Sequence, residues 1–190
     1  WGVRALTNVL FAQMGWDINT DVDAFLNEYF DRYYGEYGSK MRTAYELIEK
    51  AFLQIASWRC WASRSVLDHL SQWDGATPKE PLNVDQHLVD PDGAISNGRE
   101  SLVMLKNAMA LVDDSLSKCR DAADRAFQFS ASAAVNPAEA EAKALLQDSK
   151  IEKRLAQDRR GLLYGIDTTE LMTNVVVYHN ALYKGDNTEA

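Results

Sequence analysis

Three histidines, His69, His87 and His179, are the first place to look for chemistry, and their spacing offers none. None lies three or four residues from another or from a cysteine, the separation that puts two metal ligands on one face of a helix. Carboxylates are plentiful, but Asp113-Asp114 and Glu139/Glu141 read as solvated helix faces. A hydrolytic acid–base pair needs two carboxyl groups facing each other across a cleft, and an all-helical chain offers no obvious cleft. Serines and threonines fall at helix caps and on polar faces. There is no Gly-x-Ser-x-Gly nucleophile elbow and no glycine-rich phosphate loop. No catalytic residue, metal ligand or cofactor-binding residue is assigned, and no cofactor is expected.

The aromatic residues are a better lead. Trp58 and Trp61 lie three apart, with Trp73 nearby, and Tyr29, Phe30, Tyr33, Tyr34 and Tyr37 crowd another segment. Such rings stack on sugars, or they fill a helical core. Their spacing is that of a buried stripe, which favours the core. The Tyr33–Tyr37 cluster nevertheless holds more rings than one stripe can bury. Part of the set Trp16, Tyr33, Tyr34 and Tyr37 is therefore expected to form an interdomain contact face, since Tyr and Trp combine apolar area with a polar tip. A second copy of the chain is an alternative cover for it.

The elements that position these residues are helices. A first helix is expected from Val3 to Met14. Thr20, with Asp23 three residues on, is read as the cap of a second. That helix buries Val22, Phe25, Leu26, Tyr29, Phe30 and Tyr33, and Gly35 stops it. A third begins near Ser39 and carries Met41, Ala44, Tyr45, Ile48, Ala51, Phe52 and Ile55 at helical spacing. Residues 74–98 hold three of the four prolines and read as a long loop, most simply a crossover along a bundle. Asn97 and Glu100 read as a capping box for a long helix. Its seam is Leu102, Leu105, Met109, Val112, Leu116, Cys119, Ala123 and Ala126, in steps of three and four. Asn136-Pro137 opens the next helix. Gly161 and Gly165 weaken it, and Asp167 or Thr168 restarts a last one with Leu171, Val175, Tyr178 and Leu182 inward. Gly185 ends that helix, and 186–190 form a frayed tail. The fold class is all-α, a bundle of about five to seven helices, several long and antiparallel.

Bulk properties set the bounds. One helical domain accounts for 190 residues, and a chain of that length buries about 70% of its unfolded surface. The net charge of -8 argues against nucleic acid and against an anionic membrane surface. No apolar run approaches a membrane span. Cys60 and Cys119 read as buried small hydrophobes, with pairing left open. There is no Asn-x-Ser/Thr acceptor. The chain opens at Trp1 without an initiator Met, so it is read as a piece of a longer protein whose targeting signals lie elsewhere.

The opening helices resemble a known pattern: an apolar helix, Leu6 to Met14; then Trp16-Asp17 with Asp21; then an amphipathic helix, Phe25 to Tyr34-Gly35; then a helix from Ser39 to Glu49. In this the chain resembles the C-terminal helical domain of a bacterial domain-of-unknown-function family of glycoside-hydrolase-like proteins related to α-glucuronidases. The Ile151-Glu152-x-Arg154-Leu155 stretch is similar to that family's late helix. The resemblance covers about the first quarter of the chain. The extended third-helix region with its three tryptophans and the long proline-rich loop depart from the pattern.

The resemblance implies a non-catalytic accessory domain that packs against and supports a catalytic barrel of the same parent protein. Carbohydrate would then be met only through the parent, in a bacterial envelope or extracellular setting. It carries over no catalytic residue, because the acid and base of such proteins lie on the barrel. The rival readings are a free-standing helical interaction or oligomerisation module and a self-contained hydrolase.

Overall fold

A computed structural model of the chain describes residues 2–55, 91–132 and 139–184. Among the described residues all regular structure is helical and no strand occurs. The elements are α1 (Gly2–Trp16), α2 (Val22–Tyr34), a short 3-10 turn (Gly35–Tyr37), α3 (Gly38–Gln54), α4 (Pro91–Ser132) and α5 (Glu139–Lys184). They fall into two compact units, with boundaries inside α3, α4 and α5. Unit 1 is drawn from Trp1–Glu46 and Asn107–Leu163, and unit 2 from Leu47–Lys106 and Tyr164–Ala190.

In unit 1 the core comprises Phe30, Tyr34, Met41, Ala44, Ala108, Val112, Leu116, Cys119, Ile151 and Leu155. Within it α4 and α5 run antiparallel. Asp113 pairs with Arg159 at 2.7 Å, and one heptad further along α4 Arg120 pairs with Glu152 at 2.9 Å, one heptad back along α5. In unit 2, Ile55, Ala94, Ile95, Met172 and Val176 make the core, with Phe52, Val175 and Val177 packed against it. Buried Ser101 donates from Oγ to the Ala51 carbonyl at 2.8 Å, tying α4 to α3.

Several sequence expectations are corrected. The cap of α2 is Asp21, whose carboxylate accepts from the Ala24 N–H at 3.1 Å. Thr20 does not cap, because its hydroxyl donates to the Asp17 carbonyl at 2.7 Å. The end expected of the 74–98 loop is helical: α4 starts at Pro91, a residue suited to a first helical position. Asn97 and Glu100 consequently lie inside α4 and make no capping box.

The seam of α4 also differs. Ser101, Leu105, Ala108, Val112, Ser115, Leu116 and Cys119 are buried, whereas Leu102 and Met109 are only half-buried. Nor do Gly161 and Gly165 break α5, which is continuous to Lys184. Thr168, Thr169 and Thr173 turn their hydroxyls back onto the carbonyls four residues earlier, at 2.7, 2.8 and 2.7 Å, and start no new helix. The inward face at this end is Ile166, Thr169, Met172, Thr173 and Val176, while Leu171 is 62% exposed. Trp58, Cys60, Trp61, His69, Trp73, His87, Asn136, Pro137, Gly185 and the 186–190 tail lie outside the described residues, as do the side chains of Ala126, His179 and Leu182.

Candidate functional site

The corner between α1 and α2 is built from its own short-range bonds. The Asp17 N–H donates to the Gln13 carbonyl at 2.8 Å, closing α1. The Asp17 carboxylate then accepts from the Asn19 N–H at 2.9 Å, an Asx turn of the kind short polar side chains favour. Thr20 bonds the Asp17 carbonyl from both its N–H and its hydroxyl. Gln13 reaches back to the Thr20 hydroxyl at 3.4 Å. This corner holds Trp16 at 91% exposure and Ile18 at 88%.

The helix leading into it has apolar residues on every side. Leu6, Leu10 and Gln13, at helical spacing, are half-buried. Phe11 (72% exposed) and Met14 lie on one flank, Val9 and Trp16 on another, and all four are open to solvent. From Gly2 to Trp16 the only charged residue is Arg4. The exposed polar residues between them are Thr7 and Asn8.

The aromatic residues of α2 behave differently. Tyr29 stacks on Tyr33 at 5.3 Å and Phe30 on Tyr34 at 5.8 Å, one helical turn apart in each case. Tyr45 of α3 meets the Phe30 ring edge-on at 5.2 Å. Of the four residues expected at an interdomain face, the structure places Tyr34 and Tyr37 in the core of their own unit and Tyr33 half-buried. Trp16 alone is open, and it is not gathered with the other three into one exposed patch.

Beneath those rings sits a polar network that no local pattern announces. Tyr34 donates its hydroxyl to Asp158 Oδ2 at 2.5 Å, Tyr45 donates to Asp158 Oδ1 at 3.1 Å, and the two hydroxyl oxygens are 3.2 Å apart. Burial pushes the Asp158 carboxyl above the usual carboxylate range, and the two hydroxyl donors partly offset that. Burial, then the neighbouring hydroxyl and carboxylate, drives the Tyr34 phenol far above its ordinary value, and Tyr45 moves the same way. Tyr29 is pushed up to about 12, chiefly by burial. Both Asp158 oxygens are engaged by hydroxyls from α2 and α3, so the carboxylate acts as a rivet between helices.

Other charges serve the same end. Arg154 of α5 lies over the Tyr33 ring at 3.8 Å and donates to the Tyr33 carbonyl at 2.6 Å. Asp114 binds Lys40 and, at 3.0 Å, Lys118, which hold its carboxylate below the usual range. An open groove between α4 and α5 is lined by Asp113, Arg120, Asp121, Asp124, Arg159 and Arg160. Arg159 is paired within it and Arg120 pairs with Glu152 beside it. Among the described residues no cluster of His, Cys, Asp and Glu could hold a metal ion, and no helix is long and apolar enough to cross a membrane.

Set against family models, curated proteins and solved structures, the chain matches none. The open α1 surface had a readable signal in the near-absence of charge from Gly2 to Trp16. Asp158 had none, because its partners are 124 and 113 residues away along the chain.

Proposed function

We propose that the chain is a non-catalytic helical accessory domain that packs against and supports a glycoside-hydrolase-like barrel of the same parent protein. In this reading it is one bundle of five to seven helices, several long and antiparallel. The observation that carries it is α1, a helix whose Leu6 and Leu10 are half-buried while Val9, Phe11, Met14 and Trp16 stay open to solvent. Exposed apolar surface of that kind marks an interaction site. Trp16 is the anchor, since large aromatic residues dominate the energetics of such contacts.

A second observation fits the family resemblance. The two stretches that carry the family resemblance meet. Arg154 binds the Tyr33 carbonyl, and a Cβ at Gly35 would stand 3.2 Å from Ile151 Cδ1. Tyr33-Tyr34-Gly35 and Ile151–Leu155 thus form one structural unit, as parts of a single family motif would.

The test of the non-catalytic half is turnover of aryl glycosides by the purified chain. None is expected. Hydrolysis that survives purification and is lost on replacing a single Asp or Glu here, Asp158 above all, would overturn it. The rival reading, a free-standing oligomerisation module, would appear as a concentration-dependent dimer that Trp16→Ser disrupts.

A further inference from the structure

The corner that ends α1 is acidic. From Gly2 to Arg32 the sequence holds five carboxylates, Asp17, Asp21, Asp23, Glu28 and Asp31, against two arginines, Arg4 and Arg32. Two of the five have basic partners, Asp23 with Arg42 at 2.7 Å and Glu28 with Arg32 at 2.5 Å. Asp17 and Asp21, which flank Trp16 and Ile18, are different. Each is exposed, and each accepts a backbone N–H, from Asn19 and Ala24 respectively. Neither carries an ion pair among the described residues. The corner therefore fixes two negative charges beside two apolar side chains.

We infer that α1 and its corner dock into an apolar surface rimmed by Lys and Arg, on a domain other than a second copy of this chain. This rests on the docking reading above and adds the chemistry of the partner. Complementary rims set which partners are accepted, because like charges brought together are penalised. A symmetric dimer whose axis runs through the Trp16 corner would place that corner against itself, setting Asp17 and Asp21 against their own copies in a chain already at -8. A basic rim does the reverse. Apolar side chains open on two flanks of α1 require a partner surface that is concave, reaching Phe11 and Met14 on one side and Val9 and Trp16 on the other.

Two amphipathic helical peptides test this on the intact chain, one of leucine and lysine, the other of leucine and glutamate. The apolar face is common to both and only the rim differs. The Leu/Lys peptide is expected to bind at least tenfold more tightly. Trp16→Ser and Phe11→Ser should abolish that binding. The double variant Asp17→Asn, Asp21→Asn keeps the turn and the cap, since Asn serves both, and should erase the discrimination. Circular dichroism checks that each variant keeps its helices. Equal binding of the two peptides overturns the proposal. So does binding of the Leu/Lys peptide that survives Trp16→Ser and Phe11→Ser, which would be charge attraction alone. A dimer of the chain that Trp16→Ser dissolves also overturns it. Should a barrel cover α1 while the peptides show no preference, the docking reading stands and the basic rim falls.

Discussion

Arg154 lies 3.8 Å above the Tyr33 ring and donates to the Tyr33 carbonyl at 2.6 Å, so one side chain of α5 fastens the end of α2 twice. The carbonyl belongs to the last turn of α2, where no helical N–H remains to satisfy it and where the helix dipole favours a cation. Arg154→Met keeps most of the apolar stem and removes the charge, the stack and the donor. It should cost about 1–3 kcal/mol, the sum expected of a half-buried cation–π contact and a charged hydrogen bond. The midpoint of denaturant unfolding reads it out. An unchanged midpoint would mean that α2 is held by its buried rings alone.

Gly35 follows at once in the chain. Its φ of 58° with ψ of -131° is open to glycine and costly to any residue with a Cβ. A Cβ there would also press on Ile151. Gly35→Val should therefore destabilise the chain by roughly 1–3 kcal/mol, with Gly35→Ala close behind. Midpoints equal to the parent's would show that this turn relaxes without loss.

Gly161 gives the opposite sign. It lies exposed inside continuous α5, and a Cβ there meets nothing within 4 Å. Gly161→Ala should stabilise by about 0.5–1 kcal/mol, because alanine loses less backbone freedom on entering a helix. Thermal unfolding followed by circular dichroism should move up by a few degrees. A fall would mean that the helix needs glycine here for a close approach.

Stability should fall in alkali. Tyr34 and Tyr45 have folded-state pKa values raised above the ordinary 10.0, mainly by burial. The folded chain keeps both phenols protonated, whereas the unfolded chain ionises them from about pH 10 upward. Their contribution is complete below that pH and is lost as the pH rises above it. Tyr34→Phe and Tyr45→Phe should each flatten the alkaline decline, while lowering stability at neutral pH by about 1–3 kcal/mol because Asp158 loses a donor. Urea midpoints across the alkaline range provide the check, and a parallel decline in both variants would refute the assignment.

The helical class was legible in the sequence because periodicity acts locally. The α3 face from Met41 to Ile55 was largely legible: Met41, Ala44, Ile48, Ala51 and Ile55 are buried, and Tyr45 and Phe52 half-buried. The α4 seam was legible in half: Leu105, Val112, Leu116 and Cys119 are buried, but Leu102, Met109 and Ala123 only half-buried. Hydrophobicity favours Leu102 and Met109 over Ser101, Ala108 and Ser115, yet a close helix contact selects the small residues. The hydroxyl cost vanishes once Ser101 bonds Ala51 and Ser115 bonds its own Leu111 carbonyl. Gly161 and Gly165 misled for a related reason: their propensity penalty is small beside the burial of Leu162, Ile166 and Thr169 around them. At the candidate site, Trp16 is exposed after a helix whose one charged residue is Arg4. Tyr34 and Tyr37 were not separable from it, since the depth of a ring depends on the facing helix, and Asp158 lies far along the chain.

The central proposal is that α1 is a docking helix covered by a barrel of the same parent protein. Hydroxyl-radical footprinting at Trp16 and Phe11 tests it most directly, on the chain alone and on the parent polypeptide that includes the barrel. Both side chains should oxidise readily in the chain alone. In the parent they should be protected at least tenfold, and Tyr164, exposed elsewhere on α5, should react equally in both and serve as the control. Equal oxidation of Trp16 in the two forms would contradict the account.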